Sequence, residues 1–250
     1  ALNGNQIGAL LIDYLYNTRK EQNALEKGET MVTTIVSGEL GQKIARENGI
    51  DVQQVLTGFK YIGDKAEGFP EQGRHFFFGY EESYGSLIKP FVRDKDAPQA
   101  CLMLAEAACY YKAQGKTLVD VLYDLYAELG YYEESQTSLK LAGQEGAMRI
   151  KQILADLRNS EVSEIAGTKV IRFEDYNECV IKENGTVSEL KGFTKSDVLK
   201  YYLEDGSWIA IRPSGTEPKC KFYFCIKGDS LENAHEKTVS YQKAIAEMTA

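Results

Sequence analysis

No stretch of this chain approaches the length of a membrane span, and its N-terminus shows no basic segment leading into an apolar core. A spanning helix needs about 20 consecutive apolar residues, so neither a membrane anchor nor a secretory signal is expected. Basic residues are in short supply too: 29 Lys and Arg stand against 37 Asp and Glu, for a net charge of −8. Nucleic acid demands a basic face, so it is not an expected partner. A phosphorylated small molecule needs only one local basic site. Cysteine is sparse and odd in number, and Cys101, Cys109, Cys179, Cys220 and Cys225 form no CxxC pair. Such spacing argues against a metal or a disulfide framework, and free thiols point to a cytoplasmic protein. Neither of the two histidines, His75 and His235, has the local company of a catalytic residue. Internal repeats and low-complexity segments are missing as well.

What is present describes a soluble globular protein. The 250 residues are 43% hydrophobic and 26% charged, enough for one large or two ordinary domains with ample core. Ala1 is not an initiator Met and leads into helical spacing almost at once. The expectation is a chain cut from something longer, although Met removal or processing would leave the same start.

Apolar residues at helical spacing predict a first helix over 5–20, and the apolar run 31–36 predicts a buried strand. Ser37 is read as the N-cap of a helix ending near Asn48-Gly49. Strands are predicted over 52–56 and 75–78, with a helix over 61–67 between them. Asp96, with Pro98 just inside, marks a helix start. That helix runs to about 113, and another covers 118–129. Strand–helix alternation to this point predicts an α/β domain over 1–130 with a mainly parallel mixed sheet. The pattern then changes. A strand over 131–141 and a helix over 143–157 precede β-like runs at 168–173, 178–182, 187–190, 207–211 and 221–226. Asn184-Gly185 between two of these runs is a strong hairpin signal. A short helix is predicted over 196–203 and a closing one over 232–248. This predicts a smaller α+β domain over 131–250 with an antiparallel sheet.

Two stretches carry chemistry. Arg212-Pro213-Ser214-Gly215-Thr216-Glu217-Pro218-Lys219 lies between two β-like runs. Arg212 offers a planar fork of donors, Ser214 and Thr216 offer hydroxyls, Gly215 admits close backbone approach, and Lys219 adds a point charge. Those types suit a phosphate. They also suit a tight hairpin turn with incidental charge, since Pro, Ser and Gly are ordinary turn residues. In Gly79-Tyr80-Glu81-Glu82-Ser83-Tyr84-Gly85, Glu81 and Ser83 alternate along an extended segment and can face one ligand, while Glu82 points elsewhere. The alternative is a polar strand end facing water.

The first stretch resembles the C-terminal phosphate-binding loop of the α-D-phosphohexomutases, the phosphoglucomutase and phosphomannomutase superfamily. The second resembles that superfamily's sugar-recognition loop, and the two occur in the family's order. The resemblance runs the length of this chain but covers only the family's C-terminal half, domains three and four. Thr57-Gly58-Phe59-Lys60 resembles a further sugar-contacting loop, so Thr57 and Gly58 join the implied site; by itself it is an ordinary strand-to-helix turn. Lys95, in Arg93-Asp94-Lys95-Asp96, matches a lysine that reaches the active site in phosphoglucomutases, there to hold a phosphate or help move a proton. Asp94 and Asp96 are too few to make a metal site, and Asp96 is accounted for as a helix cap. Where some members carry a histidine in the sugar motif, this chain has Gly85.

The resemblance implies interconversion of hexose 1-phosphate and hexose 6-phosphate through a phosphoserine and a bisphosphorylated sugar, with Mg2+ and glucose 1,6-bisphosphate as cofactors. The serine loop and the aspartate-rich metal loop belong to the family's first two domains, and the sequence has no matching segment. The implied role is therefore substrate binding: Glu81 and Ser83 for the sugar, Arg212, Ser214, Gly215 and Thr216 for the phosphate, with Lys219 as a helper. The N-terminal domains of the same protein would be its partners. No catalytic nucleophile is expected here, and a non-catalytic phosphosugar-binding or regulatory module is the alternative.

Overall fold

The computed structural model describes residues 1–215 and 217–249. The chain divides into two compact units, Ala1–Gly130 and Tyr131–Ala250.

The first unit is built from α1 (Gly4–Glu21), β1 (Glu29–Thr34), α2 (Glu39–Glu47), β2 (Asp51–Val55), α3 (Phe59–Gly68), β3 (His75–Tyr80), β4 (Ser86–Leu87), α4 (Ala97–Ala113) and α5 (Leu118–Leu129). Its sheet runs β2-β1-β3-β4; β2 and β3 lie parallel to β1, and β4 returns antiparallel to β3. All six residues of β1 are buried, as expected of a central strand covered on both faces. Adjacent residues of β3 show what covers each face. A Cβ at Gly8 of α1 or Gly41 of α2 would lie 2.6 or 2.7 Å from the Tyr80 side chain. At Gly79 it would lie 2.6 Å from Ile62 of α3. Successive strand residues point to opposite faces, so α1 and α2 cover one side and α3 the other. Glycine at these contacts lets helix and sheet approach closely.

Asn3 caps α1 through a reciprocal pair with Gln6, and Asp96 caps α4 by accepting from the Gln99 N–H at 3.0 Å. Ser37 does not cap α2. Gly38 is the N-cap, and the Ser37 hydroxyl lies 2.9 Å from that of Thr34 in the preceding turn.

The second unit contains β5 (Tyr131–Lys140), α6 (Gly143–Asn159), β6 (Glu164–Ile165), β7 (Thr168–Asp175), β8 (Val180–Glu183), β9 (Thr186–Glu189), β10 (Leu199–Leu203), β11 (Trp208–Pro213), β12 (Lys219–Gly228) and α7 (Leu231–Met248). Its antiparallel sheet is ordered β5-β12-β11-β10-β7-β8-β9, with β6 paired to β7. Alternate residues such as Leu199, Tyr201, Leu203, Phe222 and Phe224 form one core with Ile150, Ile153 and Leu154 of α6 and Tyr241 and Ile245 of α7. Both helices therefore pack on the same face.

The expected helix over 196–203 is instead strand β10, hydrogen-bonded between β7 and β11. Val198, Leu199, Tyr202 and Leu203 satisfy helical spacing, whereas Leu199, Tyr201 and Leu203 satisfy a period of two. Short apolar runs carry both signals, and two strands in need of partners decide for the second. The architecture is thus an α/β unit with a mainly parallel mixed sheet, followed by a smaller α+β unit with an antiparallel one.

Candidate functional site

In the first unit the parallel register sets Thr34 beside Val55 and Thr33 beside Tyr80. The segments leaving β2 and β3 therefore emerge at the same sheet edge, the carboxyl end, where open α/β sheets bind ligands. Leaving β3, the Glu81 N–H bonds Gly85 O at 2.9 Å and closes a short loop. The Ser83 hydroxyl donates to Glu81 Oε1 at 3.0 Å. Glu82 turns the other way and accepts from the Thr34 hydroxyl at 3.3 Å. The other Glu81 oxygen, Oε2, is buried and has no hydrogen-bond partner among the described residues. A buried acceptor left unpaired costs about 1–3 kcal/mol, and a ligand hydroxyl would remove that cost.

Lys95 joins this loop to the one that leaves β2. A Cβ at Gly85 would lie 2.9 Å from both Glu81 Cγ and Lys95 Cδ, so the two side chains close over the glycine. The Lys95 ammonium sits 5.4 Å from the centre of the Phe59 ring, the residue after Gly58. Gly58 has φ of 119°, a conformation that favours glycine, and half-buried Thr57 precedes it. Glu81, Ser83, Gly58 and Lys95 are thus neighbours. The Lys95 stem packs beside Gly85, which stands where some family members carry a histidine.

In the second unit, β11 and β12 form the hairpin that carries residues 212–219. Ser214 N–H bonds Lys219 O at 2.7 Å, and Glu217 N–H bonds the Ser214 hydroxyl at 3.3 Å. The hairpin walls a cavity of about 600 Å³ with α6 and the segment before β10. Arg212, Ser214 and Gly215 line it from the hairpin, and Lys151, Ser196 and Asp197 from the other elements. Ligand pockets run from about 300 to 1,000 Å³. Arg212 is half-buried, and among the described residues its guanidinium has no ion-pair or hydrogen-bond partner. Asp197 is engaged, accepting from Arg158 Nη2 at 2.6 Å. Lys219 stands on β12 opposite Lys140 and is not among the residues that line the cavity, although its neighbour Pro218 is. Thr216 lies outside the described residues. Lys151, Ser196 and Asp197 escaped sequence reasoning, because each is an ordinary surface residue in its local context.

The solved structures define the fold. The exocytosis-sensitive phosphoprotein pp63/parafusin, a phosphoglucomutase from Paramecium in its open form, superposes over 100% of this chain and 41% of its own, with TM-score 0.64 and 18% identity. A phosphoglucomutase/phosphomannomutase family protein from Burkholderia thailandensis covers 96% of this chain and 41% of its own, with TM-score 0.55 and 14% identity. At such identities these matches establish the fold. Sequence goes further. The family model for phosphoglucomutase/phosphomannomutase alpha/beta/alpha domain III matches residues 3–129, and that for the C-terminal domain matches 147–236. The chain belongs to the phosphoglucomutase/phosphomannomutase family. A phosphoglucomutase from Staphylococcus aureus (strain bovine RF122 / ET3-1) is 39% identical over 237 residues, 94% of this chain. The chain spans 42% of that relative's length.

Proposed function

We propose that this chain is the substrate-binding C-terminal half of a phosphoglucomutase interconverting glucose 1-phosphate and glucose 6-phosphate. The observation that carries the reading is a pair of unmet polar groups of opposite kind. Glu81 Oε2 is a buried acceptor suited to sugar hydroxyls, and Arg212 is an unpaired donor fork suited to a phosphate. Glu81 and Ser83 bind the sugar. Arg212, Ser214, Gly215 and Thr216 hold the phosphate that is not being transferred, and Lys219 adds charge at the end of the hairpin. Lys95, beside Glu81, steadies a phosphate or a proton in transit. Glucose is favoured because 39%-identical relatives are named phosphoglucomutases.

In the whole protein a phosphoserine and a bisphosphorylated sugar would carry the transfer, with glucose 1,6-bisphosphate as activator. Mg2+ would supply charge stabilisation. Among the described residues no three His, Cys, Asp or Glu side chains gather into a metal cage. Asp96 is spent on capping α4. The family resemblance implies that the aspartate-rich loop of the first two domains would hold the metal. Alone, the chain binds without turnover, and the cytoplasm is its proposed compartment.

Calorimetry on the 250-residue chain tests this. Glu81→Gln should weaken glucose 1-phosphate and leave inorganic phosphate almost unchanged. Arg212→Ala should weaken both by about tenfold or more, the value of a lost charge-assisted hydrogen bond. Equal losses for the two ligands on Glu81→Gln would remove its role in sugar recognition. Turnover of glucose 1-phosphate by the chain alone, with Mg2+ and glucose 1,6-bisphosphate, would refute the binding-only assignment.

A further inference from the structure

A phosphate monoester carries about −1.5 to −2 charge at pH 7, and among the described residues of the hairpin one cation, Arg212, lines the cavity. We propose that Lys151 of α6 is the second phosphate-binding cation of this site; the assignment rests on the phosphate-binding reading of the cavity. Ala147, Ile150 and Lys151 all line the cavity, and their i, i+3, i+4 spacing puts them on one helix face. Buried Ile150, Ile153, Leu154 and Leu157 hold α6 on the sheet. The lysine therefore extends from a fixed element, and its flexible stem spans the remaining distance.

Lys151 is not there to neutralise a neighbouring acid. It has no ion-pair partner among the described residues. Asp197, an acid of the same wall, is already bonded to Arg158, which also reaches Asp175 at 2.7 Å. Arg158 is in turn 19% exposed at its side chain, so that network is half-sheltered and complete without Lys151. Lys219, the cation that the loop itself suggests, begins β12 just after the lining residue Pro218 but is not itself among the residues that line the cavity. A lysine without an ion-pair partner among the described residues thus lines the cavity that Arg212 lines from another element. Two cations of separate origin match a dianion, and they bind its doubly ionised form in preference to the singly ionised one.

That preference supplies the test, since the second phosphate ionisation lies near pH 6. Glucose 1-phosphate is titrated into the 250-residue chain at pH 5 and pH 7.5. The unmodified chain should bind more tightly at pH 7.5. Lys151→Gln should lose about tenfold in affinity at pH 7.5 and much less at pH 5. Lys151→Arg should restore both the affinity and the pH profile, which a purely structural role would not require. Lys219→Gln should cost less than Lys151→Gln. Lys151 is exposed, so unchanged thermal melting is expected of each variant. Affinity within twofold of the unmodified chain for Lys151→Gln, with Arg212→Ala still disruptive, would overturn Lys151 and leave the phosphate site standing. No uptake of glucose 1-phosphate or inorganic phosphate by the unmodified chain would overturn both.

Discussion

At position 215 an added Cβ would lie within 4 Å of no described residue other than its chain neighbours, and the backbone there is not left-handed. Nothing in the protein's own packing calls for glycine. Gly215→Ala should therefore leave the melting temperature unchanged while weakening glucose 1-phosphate binding, because the added methyl intrudes where a ligand meets backbone N–H groups. Equal affinity with equal melting would show that the loop does not approach its ligand at this point. Gly85 is the opposite case, since a methyl there presses on Glu81 and Lys95. Glu81 and Ser83 are brought together by the short loop that leaves β3, not by the alternation along an extended segment expected of them. Lys151 was not legible in the sequence, because an exposed lysine on an amphipathic helix carries no signal until the elements around it are placed.

Strand β10 shows how element-scale reading fails. Its eight-residue neighbourhood fits two periods, and only the pairing with β7 and β11 decides between them. Tyr201 now sits in the core, with its ring 5.0 Å from that of Phe173. Tyr201→Ala should cost about 3–5 kcal/mol, as large aromatic truncations in cores do, measured by denaturant unfolding. A surface helix at this place would lose far less. The Asn184-Gly185 turn was legible for the converse reason. It needs positive φ at both residues, 50° and 77° here, and few residue pairs accept that. Strands of two residues, such as β4 and β6, are too short to leave a period.

Across the whole molecule, three carboxylates, Asp13 and Glu29 in the first unit and Asp205 in the second, respond to acid with differing sign. Burial raises the Asp13 pKa, only partly offset by hydrogen bonds from Tyr111 and Asn17. Burial likewise raises Glu29, with Arg19 opposing it. Each binds its proton more tightly when folded, so its contribution declines as pH rises from the ordinary carboxylate range through the folded pKa. For Asp205 burial is outweighed by the bonds from Lys237, the Ser207 N–H and Tyr241, and the pKa is lowered. Its contribution is present above the unfolded value and lost as pH falls through the folded one. Asp205→Asn should thus destabilise the second unit at pH 7, by an amount that shrinks in acid. The sole tryptophan, Trp208, lies in that unit and reports its unfolding by fluorescence. Asp13→Asn should raise the stability of the first unit at pH 7, a gain that vanishes in acid. A constant penalty for Asp205→Asn at every pH would contradict the sign.

The thiols turn the same molecule into its own clock. Cys101 and Cys109 of α4 are exposed, and a reagent meets them at once. Cys220 is buried in β12, and burial pushes its pKa up to about 12. It is neither ionised nor reachable while the strand stays paired. Its labelling rate therefore counts how often β12 opens, and a bound ligand that steadies the adjoining hairpin would slow that count without touching the sulfur.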